Sequence, residues 1–170
     1  MVDAPQVMLR PMVDADVVAA RALDVLVQPS PWSEDFLRRQ LDDPGTRTNV
    51  VAETGLGAVV GHGALVVVAD EGHVTSVAVD PAHQRHGIGT CLVAALCRDA
   101  RARGLTAMTL EVRTSNEAAI SLYRRFGFAP AGVRPAYYAD PDGTTEDALV
   151  MWIHDVDDLV FLRAIEEGRH

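Results

Sequence analysis

The chain has 170 residues, of which 48% are hydrophobic and 23% are charged, and its formal net charge at pH 7 is −9. This composition is typical of a globular domain with a core of its own, so we predict a single domain over residues 1–170. The negative charge argues against direct binding to nucleic acid or to an anionic membrane surface, and it favours cationic partners such as amines and basic proteins. Charge alone does not distinguish such partners from plain solubility.

The first residues carry neither the basic region nor the apolar region of a signal peptide. The apolar run 64–69 is too short to span a bilayer. The two cysteines, Cys91 and Cys97, fall six residues apart on one predicted helix, so they lie on different faces and do not bridge easily. We therefore expect a cytoplasmic protein with reduced cysteines.

Hydrophobic periodicity and turn residues divide the chain into seven strands and four helices. Asp14 is predicted to cap the first helix, Ser33 the second, and Thr114 with Glu117 is predicted to form a capping box for the fourth. The predicted strands are 7–12, 48–54, 57–69, 73–79, 106–112, 128–138 and 146–153, and the predicted helices are 15–26, 34–42, 87–103 and 115–126. This order predicts an α/β fold with a mixed sheet and helices on both faces.

The centre of the chain is predicted to form a right-handed crossover, in which strand 73–79, helix 87–103 and strand 106–112 follow one another. Ligands of α/β sheets bind at the carboxyl ends of such strands. The acidic, amphipathic tail after His154 is long enough for one more helix.

The stretch Gln84-Arg85-His86-Gly87-Ile88-Gly89-Thr90 joins this strand to this helix. Its two glycines allow a tight turn and a close approach of the backbone to a ligand. The first-turn N–H groups of a helix lack intrahelical partners and bind phosphate oxygens, and a nearby arginine adds a fixed cation. We predict a pyrophosphate cradle here; the alternative is a strand-to-helix turn that needs glycine only for its conformation.

The pattern Q/R-x-x-G-x-G/A in the stretch 84–90 resembles the acyl-CoA signature of the GNAT acetyltransferases, which implies transfer of an acetyl group from a CoA thioester to an amine. Such a transfer requires a base for the amine and an acid for the leaving thiolate. Glu111 is the candidate base, because a carboxylate is unusual in the apolar strand 106–112. The alternative interpretation is a glutamate that faces solvent in an alternating strand. Tyr123 is the candidate acid, and its alternative is a core aromatic on a helix face shared with Leu122 and Phe126.

Asn116 at the start of the fourth helix is either a contact to a pantetheine arm or simply a helix cap. His83 and His86 are three residues apart without a further cysteine or carboxylate ligand set around them, so we predict no metal site.

Four segments resemble GNAT acetyltransferases, and more narrowly the RimI-type ribosomal-protein-alanine N-acetyltransferases. The similarity covers about residues 7–153 and leaves 154–170 as a C-terminal extension. The four segments are Pro31-Trp32-Ser33-Glu34, the run from Val77-Ala78-Val79-Asp80-Pro81 to Thr90, the run from Leu110-Glu111-Val112 to Gly127-Phe128, and Tyr137-Tyr138 with Asp142-Gly143 and Glu146-Asp147-Ala148.

This resemblance implies the GNAT fold, with a mixed, mostly antiparallel central sheet flanked by helices on both faces. It also implies acetyl-CoA as cosubstrate, Glu111 as proton acceptor and Tyr123 as proton donor. The residues that it implies for binding acetyl-CoA are Val77, Ala78, Val79, Arg85, His86, Gly87, Ile88, Gly89, Thr90 and Asn116. Those that it implies for binding a peptide are Trp32, Tyr137 and Tyr138.

The resemblance therefore predicts transfer of acetyl from acetyl-CoA to the N-terminal amine of a ribosomal protein that begins with Ala or Ser. We expect a monomer or a weak dimer that binds neither nucleic acid nor membrane directly. Two other interpretations remain open: a GNAT enzyme for lysine side chains or a small amine, and a CoA-sensing or partner-binding module without turnover.

Overall fold

The computed structural model describes residues 7–158 and 160–166. The strands are β1 Val7–Pro11, β2 Arg47–Thr54, β3 Val59–Val68, β4 Glu71–Val79, β5 Ala107–Arg113, β6 Ala129–Ala139 and β7 Thr145–Ile153. The helices are α1 Val17–Val27, α2 Glu34–Leu41, α3 Ile88–Ala102, α4 Glu117–Arg125 and α5 Val160–Glu166. Short 3₁₀ turns cover Asp14–Asp16, Pro81–His83 and Val156–Asp158.

The seven strands form one sheet in the order β1-β2-β3-β4-β5-β7-β6. β4 pairs with β5 in parallel across the α3 crossover. The pairs β1–β2, β2–β3, β5–β7 and β6–β7 are antiparallel. The predicted mixed, mostly antiparallel sheet and the predicted succession of strand, helix and parallel strand are therefore confirmed, whereas the right-handedness of the crossover stays a prediction.

The described residues fall into two compact units. One unit holds the described residues up to Val66 together with Thr75–Leu96, and the other holds Val67–Val74 and the described residues from Cys97 onward. The single domain over residues 1–170 stays a prediction.

In the first unit, α1 and α2 pack on β2 through a small apolar core made of Met12, Val17, Ala20, Leu37 and Val51. Ser33 caps α2 as predicted, because its Oγ accepts a hydrogen bond from the Phe36 N–H at 3.2 Å. The predicted Asp14 cap is wrong. A 3₁₀ turn precedes α1, and Asp16 instead accepts from the Val13 N–H at 2.9 Å and pairs with Arg10.

In the second unit, the predicted capping box of α4 is also wrong. Asn116 caps α4 by accepting from the Ala119 N–H at 3.1 Å. Thr114 is not available as a cap, because its hydroxyl donates to Glu146 of β7, as does the Ser115 N–H at 2.8 Å.

The tail packs on the end of α4. The Phe161 ring of α5 lies edge-on to Phe126 with centroids 5.0 Å apart, and the Arg125 guanidinium lies 4.4 Å from the Phe161 centroid. Leu162 is fully buried. The tail therefore forms the additional helix that its amphipathic pattern allows; Leu159, part of that pattern, lies outside the described residues.

Candidate active site

Glu111 lies in the middle of β5, on the face opposite to the buried Leu110 and Val112. Its side chain is nevertheless only 8% exposed. One carboxylate oxygen, Oε2, lies 2.5 Å from Nε2 of His73, and the other, Oε1, lies 3.2 Å from Nε of Arg134. Glu111 is thus an almost buried carboxylate with one basic partner on each oxygen, and not the solvent-facing glutamate of the alternative interpretation.

The strand register explains why these three side chains meet. His73 of β4 stands opposite Thr109, and Glu111 follows Thr109 by two residues, so both side chains leave the same face of the sheet. Arg134 lies on β6, which β7 separates from β5. Ala148 of β7 pairs with Arg134 on one side and with Arg113 of β5 on the other, so Arg134 lies in register with Arg113, two residues after Glu111.

Sequence reasoning missed His73 and Arg134 as neighbours of Glu111. The available signal was His73 in the strand that runs parallel to the one holding Glu111. That signal becomes specific only when the register of the two strands is known.

Two tyrosines, Tyr137 and Tyr138, extend this cluster along β6. Their rings meet edge to face with centroids 5.1 Å apart. The ring of the half-buried Tyr138 also lies 4.5 Å from the guanidinium carbon of Arg113. Burial raises the pKa of Tyr138 to about 12, with smaller contributions from Tyr137 and from the negative charge of Glu111, so its phenol stays protonated at neutral pH.

Arg113 holds this region together from β5. Its guanidinium donates to Asp140 at 2.6 Å and to Glu146 at 2.9 Å. Glu146 in turn accepts from Ser115, and these hydrogen bonds from Ser115 and Arg113 hold the pKa of Glu146 at about 2. The Glu146 carboxylate therefore positions both the loop before α4 and the Arg113 side chain that contacts the Tyr138 ring.

Tyr123 lies on the inner face of α4. It is buried, and its ring packs edge-on against Phe128 with centroids 5.8 Å apart. Burial raises the pKa of Tyr123 above its ordinary value, which keeps the phenol protonated. The structure thus shows the packing role of the alternative interpretation together with the protonation state that a proton donor needs.

The predicted cradle, residues 84–90, lies in the first unit. Arg85 and Gly87 both adopt left-handed backbone conformations, with φ of 65° and 83°. The Cys91 N–H donates to the Gly87 carbonyl at 3.0 Å in the first turn of α3, and the first N–H groups of a helix have no intrahelical partners. Residues 84–87 are exposed. This arrangement fits the diphosphate of a CoA molecule.

The strand that leads into the cradle carries the other predicted CoA contacts. The parallel ladder of β4 with β5 ends at the pair Val74–Leu110, and β4 continues to Val79. Ala78 is buried, whereas Val77 and Val79 are half-buried against Ile88 and its neighbours. The Gln84 side chain donates to the Val79 carbonyl at 3.1 Å and ties the cradle to the end of the strand.

Two predicted binding residues have structural partners. Asn116 uses its carboxamide oxygen to cap α4, which is the alternative interpretation of that residue. Trp32, in the first unit, packs on the core of α1 and α2 and on Phe36, with ring centroids 4.8 Å apart. Tyr137 is exposed, so of the three predicted peptide contacts it is the most accessible.

Within residues 7–158 and 160–166, no group of three or more histidine, cysteine or carboxylate side chains is placed to hold a metal ion. Over the same residues, no helix is long and apolar enough to cross a membrane. Both cysteines are free, Cys97 being buried and Cys91 half-buried. Burial raises the pKa of the Cys97 thiol to about 12.

These features, an open helix end after a parallel strand and a buried glutamate on the next strand, agree with a comparison of the whole sequence. The sequence model of the acetyltransferase (GNAT) family matches residues 17–128. The chain belongs to the GNAT acetyltransferase family. The predicted GNAT resemblance is thereby confirmed.

Within the GNAT family, the chain is similar to ribosomal-protein-alanine N-acetyltransferases. The ribosomal protein bS18-alanine N-acetyltransferase of Escherichia coli K12 is 37% identical over 136 residues, which cover 80% of this chain and 89% of that protein. The N-alpha-acetyltransferase RimI of Mycobacterium tuberculosis H37Rv is 34% identical over 129 residues, covering 74% and 78%.

A solved structure agrees with the sequence comparisons. The crystal structure of the ribosomal-protein-S18-alanine N-acetyltransferase from Escherichia coli superposes with a TM-score of 0.77 at 33% identity, covering 86% of this chain and 92% of that one. The chain is therefore a GNAT enzyme of the RimI type, an acetyl-CoA-dependent N-acetyltransferase.

Proposed function

We propose that this enzyme transfers the acetyl group of acetyl-CoA to the N-terminal amine of a ribosomal protein that begins with Ala or Ser. The observation that carries the proposal is the almost buried Glu111, a carboxylate with two basic partners on the strand next to β4. The relatives named for acetylation of the alanine of ribosomal protein bS18 support the choice of acceptor. The formal charge of −9 suits an acceptor from a strongly basic class of proteins.

Glu111 is proposed as the base that takes a proton from the acceptor ammonium. An α-amino group has an ordinary pKa of about 7.7–8.0, so a carboxylate of modest strength, acting directly or through one water, suffices to generate the free amine near neutral pH. The contact with His73 and the ion pair with Arg134 hold both carboxylate oxygens in place and so limit the directions from which an amine can approach.

Tyr123 is proposed as the acid that supplies a proton to the sulfur. Its buried phenol stays protonated at neutral pH because burial raises its pKa, and a protonated phenol can donate to a thiolate as charge develops there. The ring of Tyr123 packs edge-on against Phe128, a contact that limits its movement.

The open end of α3 with Arg85 is proposed to bind the diphosphate, and the backbone of Val77–Val79 to pair with the pantetheine arm. Acetyl-CoA supplies the electrophilic thioester carbonyl and a thiolate leaving group. Asn116 keeps amide donors on its side chain after capping α4, so a contact to the arm remains part of the proposal. Trp32, Tyr137 and Tyr138 are proposed to line the acceptor site.

The test uses two peptides of the same basic composition. One has a free N-terminal Ala, and the other has that amine blocked and an internal Lys left free. Mass spectrometry after incubation with acetyl-CoA should show acetylation at the free N-terminus only. Modification of the lysine in the blocked peptide would contradict the N-terminal assignment and indicate lysine chemistry, whereas acetyl-CoA binding with neither peptide modified would indicate a small amine or a sensing role.

A further inference from the structure

Each acetylation that begins from an ammonium must release one proton to solvent. The ammonium loses one proton before it attacks; the C–N bond then forms, the C–S bond breaks, and the second proton lost by nitrogen balances the one that the thiolate gains. The first proton is taken by the base and must leave it before the next turnover. With its side chain only 8% exposed, Glu111 has little direct contact with water.

Of the two partners of Glu111, His73 alone is able to take that proton. The Arg134 guanidinium is charged at all accessible pH values and has no acceptor. His73 has a ring nitrogen 2.5 Å from Oε2, and its side chain is 35% exposed, about four times the exposed fraction of the Glu111 side chain. The His73 ring therefore contacts the carboxylate while about a third of its side chain is exposed to solvent.

We propose that His73 is a positioning residue that orients Glu111 and carries its proton to solvent. The proton passes from Oε2 of Glu111 to Nε2 of a neutral His73 ring that carries its own proton on Nδ1, and the imidazolium so formed returns to the neutral state by releasing one proton to water. No bond other than N–H and O–H bonds changes, and no further reactant is needed. This inference rests on the proposed function only in taking Glu111 as the base.

The charged groups that face the pair come from β5 and β6. Glu111 of β5 faces His73 with a negative charge, and Arg134 of β6 opposes it from the other carboxylate oxygen. Arg113 of β5 and Glu146 of β7 form an ion pair with each other at 2.9 Å. Tyr138 stays protonated because its pKa is about 12, so it offers no competing acceptor for the proton.

The experiment compares three variants with the parent enzyme under saturating acetyl-CoA and the Ala peptide. His73→Gln keeps a hydrogen-bonding amide beside Glu111 but takes up no proton, so it separates orientation from proton transfer. His73→Ala removes both functions, and added imidazole restores only the proton acceptor. His154→Gln is the matched control, because His154 is an exposed histidine whose ring stacks on Trp152.

We expect kcat of His73→Gln to fall by roughly tenfold or more, with KM for both substrates nearly unchanged, since the loss lies in proton transfer. We expect imidazole to raise kcat of His73→Ala in proportion to its concentration, and His154→Gln to behave as the parent. A parental kcat in His73→Gln, or a slow His73→Ala that imidazole leaves unchanged, overturns the inference.

Failure of the proposed function is distinguishable from failure of this inference. If the parent enzyme does not acetylate the Ala peptide, the acceptor assignment is wrong. The same comparison, run on the lysine peptide or polyamine that the parent does acetylate, then decides the role of His73.

Discussion

A methyl group on Gly61 of β3 would stand 3.1 Å from the carbonyl oxygen of Ala78 on β4 and 3.2 Å from the Ile88 side chain of α3. The absence of a side chain at Gly61 therefore lets β4 and the start of α3 pack closely on β3. These two elements, β4 and the start of α3, are the ones that we propose to bind the pantetheine arm and the diphosphate.

Gly61→Ala should destabilise the enzyme by about 1–3 kcal/mol, because the added methyl meets backbone and core atoms that cannot move freely. Gly63→Ala is the control, since its nearest contact, Leu96 Cδ1, lies at an ordinary 3.4 Å. Urea unfolding measures both. Equal losses of unfolding free energy in the two variants would contradict the close contact at Gly61.

Glu111→Gln should lower kcat by about 10²–10⁴-fold while acetyl-CoA affinity changes little, because an amide is nearly isosteric but takes no proton. Steady-state kinetics and isothermal titration calorimetry give the two quantities. Glu71→Gln, on β4, is the control and should match the parent. Unchanged turnover in Glu111→Gln would remove Glu111 from the mechanism.

Tyr123→Phe should lower kcat by about 10–100-fold with a stability loss of no more than about 1 kcal/mol, because the ring stays and the hydroxyl goes. Thermal unfolding and steady-state kinetics are measured on the same preparation. A stability loss with parental kcat would contradict the role of Tyr123 as proton donor and would indicate that it only packs against Phe128.

Gly87→Ala should weaken acetyl-CoA binding by about fivefold or more, because an L-residue at φ 83° costs roughly 1–2 kcal/mol and distorts the cradle. Gly57 has nearly the same φ, 84°, in the β2–β3 turn. Gly57→Ala thus carries the same backbone strain away from the cradle and should bind acetyl-CoA as the parent does. Equal affinity of the two variants would contradict the assignment of residues 84–90.

The Glu146 carboxylate should make the enzyme acid-sensitive in a defined range. Its pKa is lowered to about 2, so its stabilising contribution is complete above the ordinary glutamate pKa of about 4.3 and is lost as the pH falls through about 2. Urea unfolding of the parent and Glu146→Gln should differ at pH 6 and converge between about pH 4 and 2.

Glu117→Gln, at the exposed first turn of α4, is the control for this acid range. A difference between the parent and Glu146→Gln that persists unchanged at the acid end would contradict the role of the Ser115 and Arg113 hydrogen bonds.

Local sequence signals predicted the elements of this fold well, because those signals act over short distances. Ser33 caps α2 through a hydrogen bond three residues away, and the alternation of β5 appears in its burial. The two capping errors, at Asp14 and Thr114, have a tertiary cause. Arg10 holds Asp16 at one site, and Glu146 takes the Thr114 hydroxyl at the other.

The candidate base Glu111 was predictable as a residue, but its surroundings were not. His73 is 38 residues away in sequence, and contact depends on the exact register of two parallel strands joined by α3. Arg134 reaches Glu111 from a strand that is not its direct neighbour. Composition and spacing do not contain such register information.

β6 is an outer strand of the sheet, so one of its edges is unpaired within the described residues and faces the high protein concentrations of a cell. An unpaired strand edge is a template on which other chains can add and aggregate. Pro130 and Pro135 remove two N–H donors from β6, and its register shifts near both prolines, with Ala136 at φ 48°. These breaks leave no long, regular edge for another strand, so the exposed strand that carries Tyr137 can remain accessible without promoting fibre growth.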